Sequence, residues 1–169
     1  KSHQRAVAGW DGGFFDDLVI SLPELSRDAN PRADTSAERL SGLKPAFDRE
    51  SGMGSLTAGN SSPITDGAAG CWVSNEEGLK RLPDGTPYAR IVDYEVSAVD
   101  LRTEGLLMAP SYAIPRLLAR HHLGFADIAL WEIHEAFAAQ VLANVAAITD
   151  PNWVRQKAHV SAEMGNFDW

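Results

Sequence analysis

The sequence predicts an α/β layer fold, and three observations carry that expectation. Short apolar runs with strand character stand at 66–73, 89–96 and 128–133. Between and after them, apolar residues recur at helical spacing, as in Phe137, Val141, Val145 and Ile148. Cap and turn residues punctuate the joints, so strand, helix, strand and helix follow one another in the rhythm of sheets covered by helices.

Residues 1–10 read as a helix with Val7 and Trp10 on one face, stopped by Asp11-Gly-Gly13. Residues 14–34 are irregular, with Pro23, Pro31 and a turn at Asp28-Ala-Asn30. Thr35-Ser-Ala-Glu38 has the form of a capping box and starts a short helix that carries Leu40 and Leu43 toward a core before Pro45 stops it. The run Asp66–Val73 is a buried strand in which small residues allow close packing of layers. Ser74-Asn-Glu-Glu77 is a second capping box, opening a helix through Leu82, and Pro83-Asp-Gly85 turns the chain. Ala89–Val96 is a strand, and Tyr112–His122 a helix with Pro115 in its first turn. Ile128–Ile133 is a strand that turns at His134 into a helix beginning with Glu135.

Composition narrows the function classes. At 169 residues with 44% apolar content, the chain can bury roughly 70% of its unfolded surface in a core. Its net charge of −8, from 23 acids against 15 bases, argues against a nucleic-acid binder, which needs clustered Lys and Arg to track phosphates. A single cysteine excludes an internal disulfide and any Cys-rich zinc site, as expected in a reducing cytoplasm. No apolar stretch approaches the ~20 residues that span a bilayer.

Trp131-Glu-Ile-His-Glu-Ala-Phe-Ala-Ala-Gln140 carries the strongest chemical signal. It holds an imidazole where a strand meets a helix, beside free backbone N–H groups and the positive end of a helix dipole, a setting that suits a developing oxyanion. A buried structural histidine is the competing reading, and this window alone does not separate the two.

His134-Glu-Ala-Phe-Ala-Ala-Gln140 resembles the Asn/His-Glu-Ala-Phe motif of thiolases, which form or cleave 3-ketoacyl-CoA thioesters. Thr57-Ala-Gly-Asn-Ser-Ser-Pro-Ile-Thr-Asp-Gly-Ala-Ala69 resembles the thiolase turn that leads into an Asp-Gly-Ala-Ala strand, with Leu43-Lys-Pro-Ala-Phe-Asp48 in its expected place before it. Matches in this order cover nearly the whole chain. His at 134, with Leu107-Met-Ala-Pro-Ser-Tyr-Ala113, is most similar to the branch holding the β subunit of the trifunctional fatty-acid oxidation complex.

The resemblance implies a partial thiolase fold: a loop-domain segment at 1–63, the end of the N-terminal half at 64–86 and the start of the C-terminal half at 87–169. It implies an acetyl-CoA C-acyltransferase of fatty-acid β-oxidation, with CoA as substrate, no other cofactor and no metal. A homodimer is implied, joined in that branch to a hydratase/dehydrogenase subunit. The alternative is a non-catalytic thiolase-like protein that binds acyl-CoA or lipid. The family's Cys-x-Ser, Gly-His-Pro and Cys-x-Gly motifs do not occur here, so the chain reads as an interior piece, inactive alone.

The same resemblance assigns His134 to an oxyanion hole, as a donor acting directly or through water. Arg32 matches a family arginine near the nucleotide phosphates, where a planar guanidinium fork suits phosphate oxygens. Ser62 matches a serine on the pantetheine arm, and Phe47, Met108 and Phe137 match apolar lining positions that core packing explains equally well. Glu135 reads as a first-turn acid favouring the helix dipole rather than as a base. His134-Glu135 lacks the second histidine of a zinc helix, because position 138 is Ala. His121-His122 reads as a helix end favourable to its dipole. Cys71 reads as an inert, buried core thiol.

Overall fold

The computed structural model describes residues 1–168, in two compact units that divide between Gly59 and Asn60. The first unit is built on α1 (Ser2–Asp11) and α2 (Ala37–Ser41). Gly12 ends α1 and Gly13 follows at φ +77°, a left-handed conformation that glycine adopts without penalty. The turn lets Phe15 fold back, its ring 4.8 Å from that of Trp10. Arg27 bonds Asp11 at 2.8 Å and lies over the Trp10 ring, which draws the irregular stretch against the helix.

The cap of α2 is Ser36, one residue after the expected Thr35, and its Oγ accepts the Arg39 N–H. Leu40 and Leu43 do not reach a buried core; they remain 38% and 40% exposed. Their methyls instead cover Gly59 so closely that a Cβ there would sit 2.7 Å from Leu40.

Every fully buried side chain among the described residues belongs to the second unit. Its short α3 (Glu76–Leu79) is capped by Asn75, whose side chain accepts from Gly78 N–H. Next come α4 (Ala109–Arg120), a 3-10 turn (Phe125–Asp127), α5 (Ala138–Thr149), α6 (Pro151–Trp153) and a π-helical turn (Val154–Ala158). Leu118 of α4, Phe125, Ile148 of α5 and Met164 form the core, each large side chain contributing about 1.5–3 kcal/mol by burial. Trp131 and Phe167 extend it, each ring edge-on or tilted against Phe125 or the other.

Two helix expectations are corrected here. Helix α4 begins three residues before Tyr112, so Pro110 lies in its first turn and Pro115 inside it. Pro115 is buried, and its missing N–H leaves the carbonyl four residues back without its helical partner. Helix α5 begins at Ala138, with Phe137 extended as its cap, so Glu135 is outside the first turn and carries no dipole role.

The runs at 66–73, 89–96 and 128–133, expected as strands, form none among the described residues, and the third bends at Ala129. A strand is fixed by its neighbour's N–H and C=O groups, and no neighbour is present to supply the ladder. The expected burial of the first run is therefore wrong for this chain. Cys71 is exposed, as are Trp72 and Val73, because nothing covers that segment.

Candidate active site

The two sequence windows that carry the chemical signal meet in the second unit. Ser61 and Phe137 form an antiparallel bridge, in which the Ser62 N–H donates to the Ala136 carbonyl at 2.8 Å and the Ala138 N–H to the Asn60 carbonyl at 3.0 Å. This bridge explains the late start of α5. Residues 136–138 give backbone groups to pairing with 60–62, which needs extended geometry at the centre of the bridge, and Phe137 accordingly sits at φ −141°, ψ 139°.

His134 stands two residues before the bridged Ala136 and opens on a cavity of about 610 Å³. The cavity is lined by Glu132, Ile133 and His134, continuing to Ala136 and Gln140. Leu107 with Ala113, Ile114 and Leu117 of α4 lines it as well, as do Glu95, Val96 and Ser97. The lining is mostly apolar, with an imidazole and two carboxylates as its charged or chargeable groups. Such a cavity suits an apolar ligand group.

Helix α4 is tied to residues 93–95 by charge. Arg120 pairs with Asp93 at 2.7 Å and also with Glu95, while the His121 Nε2 lies 2.7 Å from Asp93. Arg116 reaches the Ser97 hydroxyl at 3.4 Å. Residues 93, 95 and 97 thus bond to α4, while Val92 and Tyr94 before and between them stay exposed. The His121 imidazole and the Arg120 guanidinium hold the Asp93 carboxyl down at about 2. His121 caps α4, as expected from its position, and bonds a carboxylate there as well.

A second polar cluster braces the loop before α4. Glu104 accepts from the Tyr112 hydroxyl at 2.6 Å and from Lys157 at 2.8 Å. Burial, and then the Glu104 bond, push the Tyr112 phenol up to about 12. Lys157 and Tyr112 together hold the Glu104 carboxyl below its usual range.

One backbone bridge links the segments of Ser62, His134 and Phe137, and Met108 caps α4 with its carbonyl accepting from the Ser111 hydroxyl, but of these four only His134 lines the cavity. Ser62 is exposed, its hydroxyl reaching only the neighbouring Pro63 carbonyl at 3.5 Å. Arg32 and Phe47 lie in the first unit and are exposed, with the Arg32 N–H bonded to His3 Nδ1. Leu107, Gln140 and Asn144 were not foreseen. Asn144 had a readable signal, since it falls three residues after Val141 on the apolar stripe of α5 and is buried there.

A family model for the thiolase N-terminal domain matches residues 1–77, and one for the thiolase C-terminal domain matches residues 85–161. The chain belongs to the thiolase family. A 3-ketoacyl-CoA thiolase of Serratia proteamaculans is 39% identical over 174 residues, covering 99% of this chain and 39% of that protein. Proteins of the same name from Yersinia enterocolitica and Pectobacterium atrosepticum are 38% and 37% identical with the same coverage. The chain spans about two fifths of the length of these curated relatives. Among solved structures, the dimeric peroxisomal thiolase of Saccharomyces cerevisiae matches with a TM-score of 0.73 and 34% identity, over 87% of this chain and 37% of that one. The fold is accordingly the thiolase α/β fold in part.

Proposed function

We propose that this chain is the part of a 3-ketoacyl-CoA thiolase subunit that supplies an oxyanion donor and a wall of the acyl cavity. The observation that carries the reading is His134, opening on an apolar-walled cavity and braced by the bridge between 60–62 and 136–138. The names of the relatives support the substrate class.

In such an enzyme a cysteine thiolate attacks the 3-keto carbon, forming a C–S bond while oxygen gains the negative charge. The C2–C3 bond then breaks, leaving an acyl-cysteine and the enolate of acetyl-CoA, which takes up a proton. A second CoA thiolate attacks the acyl-cysteine, releasing the shortened acyl-CoA and restoring the cysteine. This chain's only thiol is Cys71, which stands outside any Cys-x-Ser pattern, so the nucleophile comes from another part of the subunit. The His134 N–H, directly or through water, donates to an oxygen as it becomes anionic, and that interaction strengthens toward the transition state. Arg32 meets the nucleotide phosphates and Ser62 the pantetheine arm, while Phe47, Met108 and Phe137 line the path of the acyl-CoA. CoA is a substrate, and no resident cofactor takes part.

The working assembly is a homodimer in the cytoplasm, associated with a hydratase/dehydrogenase subunit. Dimerisation is supported by the yeast thiolase, described as dimeric. The test is CoA-dependent cleavage of 3-ketoacyl-CoA by the complete subunit, with acetyl-CoA and shortened acyl-CoA as products. Tight acyl-CoA binding without cleavage would favour a thiolase-like binding protein instead.

A further inference from the structure

The loop that brings Leu107 to the cavity shared with His134 is held in a conformation that its own residues resist. Leu107 sits at φ +67°, in the left-handed region that side chains with a Cβ rarely adopt. Such a conformation persists only where surrounding contacts over-determine it. Here the contact is specific: the Asn144 Nδ2 donates to the Leu107 carbonyl at 3.0 Å and to the Gln140 carbonyl at 2.8 Å. On either side the loop is fastened again, by Tyr112 and Lys157 at Glu104 and by the buried Ser111 hydroxyl at the Met108 carbonyl.

Asn144 is 1% exposed, and its Oδ1 has no donor partner among the described residues. A buried amide with an unsatisfied acceptor is a poor choice for packing alone, since an apolar residue would fill the same stripe of α5 without that cost. What the amide supplies is the hydrogen bond that fixes Leu107. Leu107 in turn lines the same cavity as His134, Ala136 and Gln140.

We propose that Asn144 is a positioning residue that locks Leu107 as the wall of the acyl cavity and thereby sets how bulky an acyl chain the site accepts. The inference rests on the reading of the cavity as the acyl site of a thiolase. Asn144 touches no substrate; it acts through the backbone of Leu107.

The test compares kcat/KM for short and long straight-chain 3-ketoacyl-CoA substrates in the complete subunit. Leu107→Gly keeps the backbone path, because glycine adopts φ +67° freely, and removes the wall. It should raise the long-to-short ratio at least tenfold. Asn144→Ala should shift the ratio in the same direction while leaving the KM for CoA unchanged. Because both changes act through one side chain, the double variant should match Leu107→Gly alone rather than show the product of the two effects. A chain-length ratio that ignores Leu107→Gly would overturn the proposal, and this arm stands even where Asn144→Ala fails to fold. Equal loss on all chain lengths in Asn144→Ala, or multiplicative effects in the double variant, would also overturn it. A wild-type subunit that cleaves no 3-ketoacyl-CoA would overturn the thiolase reading itself, a result distinct from an active enzyme whose profile is indifferent to both changes.

Discussion

The backbone N–H of Ser62 donates to the carbonyl of Ala136 at 2.8 Å, joining the Thr57-Ala-Gly-Asn-Ser-Ser window to the His134-Glu-Ala-Phe window across more than seventy residues of chain. This bond sits two residues from His134, so the first window sets the path of the segment that carries the imidazole. Ser62 thus has a backbone role besides the proposed contact of its hydroxyl. Ser62→Ala keeps the N–H, and any weakening of acyl-CoA binding in that variant reports the hydroxyl. Ser62→Pro removes the donor and should cost about 0.5–1.5 kcal/mol of stability in a denaturant titration. An unchanged denaturation midpoint for Ser62→Pro would show that the bridge is not needed.

Arg32→Ala should weaken CoA binding by roughly 1–3 kcal/mol, the range for hydrogen bonds to charged groups. The loss should shrink for a truncated pantetheine substrate that lacks the nucleotide. Equal losses with intact and truncated substrates, measured by KM or calorimetry, would make the Arg32 side chain a support of its loop and not a phosphate contact, since the backbone N–H that bonds His3 is kept in the variant.

The helix and cap signals were legible because they are local. Gly12 and the 83–85 turn stand where the sequence places them, with Thr86 N–H bonded to the Pro83 carbonyl, whereas both helix caps fall one residue later than their boxes, at Ser36 and Asn75 instead of Thr35 and Ser74, and α3 ends at Leu79 instead of Leu82. What was not legible depends on partners distant in sequence. The period of residues 66–73 gives an extended chain, but burial of Cys71 required a neighbouring strand that the described residues do not contain. The start of α5 shifted from Glu135 to Ala138 because pairing with 60–62 outcompeted the first helical turn. Within the site, His134 was readable from its motif, whereas Leu107 entered only through its left-handed backbone and the reach of Asn144.

Cys71 should react readily with a thiol-alkylating reagent in this chain, since it is exposed and flanked by the exposed Trp72 and Val73. Mass spectrometry of the native chain after brief labelling checks this directly. Labelling only after denaturation would place Cys71 back in a covered strand.

The clasp between α4 and residues 93–95 should persist into acid. Asp93 ionises at about 2 in the folded chain against an ordinary 3.8. Its contribution is therefore complete above pH 3.8 and is lost as pH falls through about 2. Carboxyl carbon NMR should give Asp93 a midpoint near 2. His121→Ala and Arg120→Ala should each move it upward toward 3.8. A midpoint near 3.8 in the unaltered chain would mean that the clasp does not form.

The most direct measurement of the central claim is the turnover of His134→Ala in the complete subunit with a 3-ketoacyl-CoA substrate. An oxyanion donor acts mainly on the transition state, so kcat should fall by about 10²–10³ with a smaller change in CoA affinity. His134→Asn should fall less, because an amide N–H can take the same place. A folded His134→Ala variant with unchanged kcat would contradict the account and leave His134 as a structural residue at the mouth of the cavity.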